Sequence, residues 1–270
     1  MASMNPAYPG LVASVLYLVG ALAQVNAVVR PTHASTRAFL PVFVLAASAH
    51  AVTVFLVMNR PDGVDLGLFA MVSLVALVLS VFVIVASLFQ PVENLLMLVA
   101  PFGAIAVGAS LLFPDKAIPH HALPEGLLTH ALLSILAYTV LALAACQSLA
   151  LALQERLIKR HRAMSLIRVL PPIQTMESLL FQQIWAGFAL LTLSIGSGFL
   201  FLTDMFAQRV VHHTVLSSAS WVVFLLLIVG RHLFGWRGTT AIRWTLAGFA
   251  LLVLAYFGSK FVIEVLLGPA

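Results

Sequence analysis

Charge is scarce in this chain of 270 residues: Asp, Glu, Lys and Arg together make up 9% of it, against 62% hydrophobic residues. A water-soluble fold of that length needs far more charge to cover its surface, so soluble enzymes and soluble binding domains are excluded. Cysteine is nearly missing as well. With Cys146 alone, an internal disulfide, a zinc knuckle and CxxC redox chemistry are all out of reach. The apolar runs hold no HExxH, no GxSxG, no Ser/Lys dyad and no paired carboxylates, and Glu93, Glu177 and Glu264 stand only at their ends. Such a pattern gives intramembrane catalysis no support, and the chain is read as a non-enzyme.

Apolar runs of about 20 residues, each able to cross a ~30 Å hydrocarbon core as helix, fill the chain instead. Eight recur, at 11–29, 39–58, 64–89, 95–113, 127–153, 179–202, 210–230 and 241–267, and the mean hydropathy is +1.08. The short alternating segments of an outer-membrane barrel do not occur. The expected fold is all-α: a polytopic transmembrane helical bundle of about eight spans, forming one integral membrane domain over residues 1–270. The first run has neither a positively charged leader nor a small-residue cleavage site, so it is expected to remain as a span.

Lys and Arg in short loops stay on the cytoplasmic side. Placing the first connection inside puts Arg30, Arg37, Arg156, Lys159, Arg160, Arg162, Arg168, Arg231, Arg237 and Arg243 there, 10 of the 14 basic residues, and leaves six of the nine acids outside. Both termini are then expected on the extracytoplasmic side. The pI near 9.9 reports this topology and not nucleic-acid binding, because the basic residues hug the membrane ends and form no single patch.

Short connections such as "NRPDGVD" and "QPVEN" force neighbouring helices to pack antiparallel. The outer loop "PDKAIPHHALPEG", 114–126, has three prolines and is expected to be irregular. The inner segment 154–178 mixes Arg and Lys with Leu, Ile and Met up to Pro171-Pro172, the pattern of a helical extension followed by a stretch lying on anionic lipid. Gly196, Gly198 and Gly248 read as small residues that let helices approach closely.

Nine histidines are many for so apolar a chain. His33, His161 and His232 fall among arginines on the inner side and read as solvated loop residues. His120, His121, His130, His212 and His213 fall at or near the outer surface. His50 lies about eight residues, ~12 Å, below the outer end of its span. An ionisable ring at that depth is expensive and needs a partner, so His50 either serves a function or hydrogen-bonds a Ser, Thr or carbonyl of a neighbouring helix. His130, Ser134, Tyr138 and Leu141 share one helix face, which should look inward. His212 and His213 emerge at the same outer level but point about 100° apart, so at most one of them faces His130.

Two neutral imidazoles on facing helices can grip a planar macrocycle from both sides. Haem asks only for two axial ligands, an apolar slot and a cation for its propionates, whereas Zn or Cu normally recruits a third or fourth protein ligand. Phe199, Phe201, Phe206 and Trp221 supply apolar faces near the pair in sequence, and Arg209 is the outer cation. Without a CxxCH motif any haem would be held non-covalently.

Four segments in order, "LLTHALLSILAYTVLALAACQSLALALQERLIKR", "LPPIQTMESLLFQQIWAGFALLTLSIGSGF", "VVHHTVLSSASW" and "FGWRGTTAIRWTLAGFALLVLAYFGSKF", carry a resemblance. Through them the chain resembles the cytochrome c assembly (CcsA/CcmC-type) membrane family, most closely its YpjD/HemX-like branch, with a family-like core at about 64–267. "SAHAVTVFLV" around His50 is the best match among the earlier spans. The resemblance implies a bacterial inner-membrane protein that handles haem at the outer face, with cytochrome c biogenesis proteins, haem and membrane lipid as partners. It also implies that His130 corresponds to the first of two external haem-ligating histidines. The family's Trp-rich, WDPKE-like loop is replaced here by "FLFLTDMFAQRVVHHTVLSSASW", which keeps only Trp221, and the late segment bearing the second external histidine is missing. His212, or failing that His213, is therefore expected to stand opposite His130 as the second ligand to haem iron, with Arg209, Tyr138 and Trp221 around them and His50 deeper. The competing expectation is a transport or regulatory partner protein without haem, whose outer histidines bind a divalent metal or sense pH.

Overall fold

Inside lipid a backbone has no water to bond to, so a crossing segment must satisfy its own N–H and C=O groups. In the computed structural model, which describes residues 5–29, 36–60, 63–90, 92–114, 126–159, 171–201 and 211–258, the chain does so as helix. In order these are α1 (Ala7–Val29), a 3-10 turn (Thr36–Phe39) leading into α2 (Leu40–Met58), α3 (Leu68–Phe89), a 3-10 turn (Glu93–Leu95) leading into α4 (Leu96–Leu112), α5 (Leu127–Lys159), α6 (Ile173–Phe201), α7 (Val211–Phe234) and α8 (Thr239–Val253), which closes with a π-helical turn (Leu254–Gly258). All eight are long and apolar enough to cross a membrane.

Three of the boundaries that differ from the hydropathy reading have a local reason. The third helix starts at Leu68 and not at residue 64, because Asn59–Arg60 and Gly63–Val64 pair as a two-stranded hairpin, β1 and β2. Just after it Asp65 accepts the Gly67 N–H at 2.9 Å and an ion pair from Arg60, an Asx-type turn that uses the backbone otherwise. The sixth helix starts at Ile173, directly after Pro171-Pro172, since proline is preorganised for a first turn. The fifth runs past residue 153 to Lys159, as the expected extension. The inner stretch 160–170 and the tail 259–270 lie outside the described residues.

The described residues divide into two compact units. The first holds α1–α4. Tyr17, Phe43, Leu79 and Leu96 are fully buried there, and Phe43 lies so close to Gly20 that a Cβ would stand 2.8 Å from its ring. At the basic end Arg37 pairs with Glu93 at 3.5 Å and Gln24 donates to the Glu93 carbonyl at 3.2 Å. Leu11, Phe55 and Ile105 project outward, as side chains facing lipid should.

The second unit holds α5–α8, with Leu141, Leu180, Ile184, Phe224 and Leu252 at its centre. Lipid tails are as apolar as leucine, so close packing and interhelical hydrogen bonds hold such helices together. Gly248 meets Phe224, whose ring a Cβ would approach to 2.9 Å, and Ser220 donates to the Gly248 carbonyl at 2.8 Å. Gly187 fits Leu141 in the same way. Gly196 does not belong with them: a Cβ there would meet nothing within 4 Å, so the close-approach reading fails at that position. Between α7 and α8, Gly235 (φ 65°) and Gly238 (φ 55°) take left-handed backbone. They turn Trp236 back so that its N–H bonds the Gly230 carbonyl at 3.2 Å and its ring occupies the space a Gly230 side chain would fill.

Candidate functional site

Alternation of direction brings the start of α5, the end of α6, the start of α7 and the end of α8 to one end of the second unit. His130 is the fourth residue of α5 and His213 the third of α7. Ser194 and Ser197 lie in the last two turns of α6, and Tyr256 sits on the π-helical turn after α8.

The half-buried His130 ring is held through one nitrogen. Its Nδ1 lies 3.1 Å from the Ser194 carbonyl oxygen and 3.1 Å from Ser197 Oγ. A carbonyl oxygen can only accept, and the Ser197 hydroxyl already donates to it at 2.7 Å. Nδ1 must therefore carry the proton, which leaves a lone pair on Nε2. The nearest polar group to that lone pair is Ser134 Oγ, 3.5 Å away and itself bonded to Ser194 Oγ at 2.7 Å. Ligating histidines are oriented in this way, by giving the other ring N–H to a carbonyl, which makes the free nitrogen more basic.

The face expected to look inward does so. Below His130 and Ser134, Tyr138 is buried and donates to the Leu252 carbonyl at 3.0 Å, and Leu141 is fully buried. Tyr256 links the layers, standing edge-on to Tyr138 (ring centroids 6.0 Å apart) and to His213 (6.1 Å). Neither ring nitrogen of His213 makes a hydrogen bond to a described residue, and of the adjacent pair His213 is the one whose ring is described, at the same end of the unit as His130. The side chain of His212, and Arg209, His120 and His121 altogether, lie outside the described residues.

Two other expected residues are placed elsewhere. Trp221 follows His213 by eight residues, about 12 Å along the helix. It stacks on Phe188 (5.3 Å) and donates Nε1–H to Thr192 Oγ1 at 2.8 Å, so it packs α7 on α6 below the histidine layer. His50, in the first unit, has both nitrogens engaged: Nδ1 with the Tyr17 hydroxyl at 3.2 Å and Nε2 with Ser73 Oγ at 3.0 Å. Fully buried, it makes the hydrogen bonds its packing alternative requires and has no nitrogen to spare. Phe199 faces outward at 57% exposure.

Sequence reasoning missed Ser194, Ser197 and Tyr256. The serines sit in "LSIGSGF", where the glycines drew the attention, yet two hydroxyls three residues apart in an apolar span were a signal of a polar face.

A family model, cytochrome C assembly protein, matches residues 39–267. The chain belongs to that family. The match takes in α2 with His50 as well as the second unit. Among its relatives, the inner membrane protein YpjD of Escherichia coli K12 is 30% identical over 230 residues, 83% of this chain and 85% of the relative. A 28.8 kDa uncharacterized protein in the nifR3-like 5' region of Azospirillum brasilense is 39% identical over 141 residues, 52% of either chain. Protein HemX of Brevibacillus brevis is 23% identical over 175 residues, 63% of this chain and 64% of the relative. No solved structure matches. With eight helices able to span a bilayer and a relative named for the inner membrane, this cytochrome c assembly family member is a multi-pass membrane protein.

The open Nε2 of His130, oriented by the Nδ1 bond to the Ser194 carbonyl, is a donor of the kind a haem iron takes. Tyr256 presents its ring to both His213 and Tyr138.

Proposed function

We propose that this protein is a non-enzymatic haem-handling member of the cytochrome c assembly family in the bacterial inner membrane, binding haem non-covalently near the outer face and assisting cytochrome or haem-protein biogenesis. The observation that carries this reading is the orientation of His130: a ring with Nδ1–H given to the Ser194 carbonyl presents Nε2 as a ligand, at the end of the unit where His213 opens α7. His130 and His213 would supply nitrogen ligands, with Tyr256 and Tyr138 beside them. When bound, haem would supply an iron that accepts nitrogen donors and a broad apolar face. In this chain the residues' task is to hold and present the group. The basic residues of the inner loops favour an arrangement with both termini outside by the positive-inside rule, in which the His130 end of the second unit would face the compartment where c-type cytochromes are assembled.

The experiment is reconstitution of the purified protein with haem, comparing the Soret spectrum and thermal stability of wild type with His130→Ala, His212→Ala and His213→Ala. Haem that binds only the folded state raises the melting temperature, by a stabilisation that grows with the logarithm of the free haem concentration over Kd. Loss of the band in His130→Ala and His213→Ala, with His212→Ala like wild type, is the expected result. A featureless visible region after haem addition, with Zn or Cu bound through the same histidines, would replace this reading with the metal-binding one.

A further inference from the structure

A second site lies at the opposite end of the second unit, where the basic residues gather. A cleft of about 630 Å³ is lined by Gln174, Glu177, Ser178, Phe181, Gln182 and Trp185 of α6, and by Arg231 and Arg237. The α6 residues are spaced at i, i+3, i+4, i+7, i+8 and i+11, one continuous face of the helix. That face is odd for a span. Gln174, Ser178, Gln182 and Trp185 are exposed, and no hydrogen bond of their side chains to a described residue is formed, whereas the spans elsewhere turn leucine, valine and phenylalanine outward.

The two arginines differ in their readiness. Arg231 is preset: its guanidinium lies over the Phe181 ring, 4.5 Å from the centroid, and Nη1 donates to the Trp236 carbonyl at 3.1 Å. Arg237 is exposed and makes no ion pair or hydrogen bond with a described residue. The one carboxylate in the lining, Glu177, is committed, since Oε1 accepts the Gly238 N–H at 2.8 Å. The lining therefore offers two positive charges, amide and hydroxyl donors and an indole N–H, against the occupied Glu177 and, just outside the lining beside Gly238, Glu155. An anion with several acceptor oxygens satisfies that set.

Position identifies its source. α6 has 29 residues, about 43 Å at 1.5 Å per residue, so more than 10 Å of it extends past a ~30 Å hydrocarbon core. Trp185, with His232 edge-on at 6.0 Å, and the stacked Trp236 and Trp244 mark the interfacial belt at this level. Along α6, Gln174 and Ser178 thus stand at headgroup height, and Phe181, Gln182 and Trp185 one to two turns nearer the acyl chains. We propose that this cleft binds the phosphate of an anionic phospholipid, held by Arg231 and Arg237 with Gln174, Ser178 and Gln182, the acyl chains leaving past Trp185.

The test uses the full-length protein in nanodiscs of phosphatidylglycerol and phosphatidylcholine, with lipid retention read by native mass spectrometry after release into detergent. Arg237→Gln removes a charge without removing an ion pair or hydrogen bond to a described residue, and Gln182→Glu adds a like charge at an exposed position, so both keep the described packing. Wild type is expected to retain phosphatidylglycerol preferentially, and each variant to lose about fivefold of that preference, the effect of one charge at a membrane surface. Equal retention of the two lipids, or full preference in both variants, overturns the proposal. Inorganic phosphate or glycerol 1-phosphate binding in phosphatidylcholine discs as tightly as phosphatidylglycerol would overturn the lipid source in favour of a soluble phosphate ligand.

Discussion

His130 gives its Nδ1 proton to the Ser194 backbone carbonyl at 3.1 Å, and that bond decides which nitrogen of the ring can serve as a ligand. Because the acceptor is backbone, no substitution at residue 194 removes it. Only Ser197 Oγ, the second group at 3.1 Å, can be deleted while the carbonyl stays.

Ser197→Ala is accordingly expected to loosen the ring without abolishing ligation. Partners in the outer shell of a ligating histidine are worth 10–100-fold in affinity, and with the carbonyl retained the loss should be about tenfold. Haem titration followed at the Soret band checks this, with His130→Ala as the complete loss. An unchanged titration in Ser197→Ala would separate the orientation of the ring from haem binding.

His50 is expected to matter for stability and not for haem. His50→Ala leaves the Ser73 hydroxyl buried without this partner, a cost of about 1–3 kcal/mol, while the Tyr17 hydroxyl keeps its hydrogen bond with Ser80. Thermal unfolding in detergent should show a clear drop while the haem spectrum of the remaining folded protein matches wild type. A lost or shifted Soret band would return His50 to the haem site.

Glycines in the second unit should separate by the space around them. Gly248→Ala brings a methyl to 2.9 Å of the Phe224 ring, and Gly230→Ala collides with Trp236, so each should destabilise by about 1–3 kcal/mol as overpacking does. Gly196→Ala meets nothing within 4 Å and should be neutral or stabilising by up to about 1 kcal/mol, since alanine is the better helix former. Melting temperatures of the three variants test the contrast.

Topology is open to labelling. In a Cys146→Ala background no other thiol remains, so a membrane-impermeant maleimide should modify Asp62→Cys from the outside of intact spheroplasts and His161→Cys only after lysis. The reverse pattern would invert the assignment of sides.

Much of the architecture was legible along the chain. Eight apolar runs give eight helices. Residues assigned to one side also meet: Arg37 with Glu93, and Arg60 with Asp65. Boundaries shifted where a side chain offered the backbone another bond, as Asp65 does for Gly67. The inward stripe from His130 to Leu141 followed from helical spacing. Trp221 did not follow, because nearness in sequence to His213 is two turns of separation in a helix, and Thr192 and Phe188 claim the indole there.

By itself the sequence determined that this protein lives in a bilayer, how many times it can cross and which ends carry the positive charge, since these depend on composition and length summed over each run. The tertiary structure alone decided that His130 turns Nδ1 to the Ser194 carbonyl, that Tyr256 bridges His213 and Tyr138, and that both nitrogens of His50 are spent. The physical reason is the solvent: where lipid is as apolar as the protein interior, hydropathy scarcely distinguishes a helix face that looks inward from one that looks outward, and helix rotation is set by the fit of side chains such as Phe224 against Gly248.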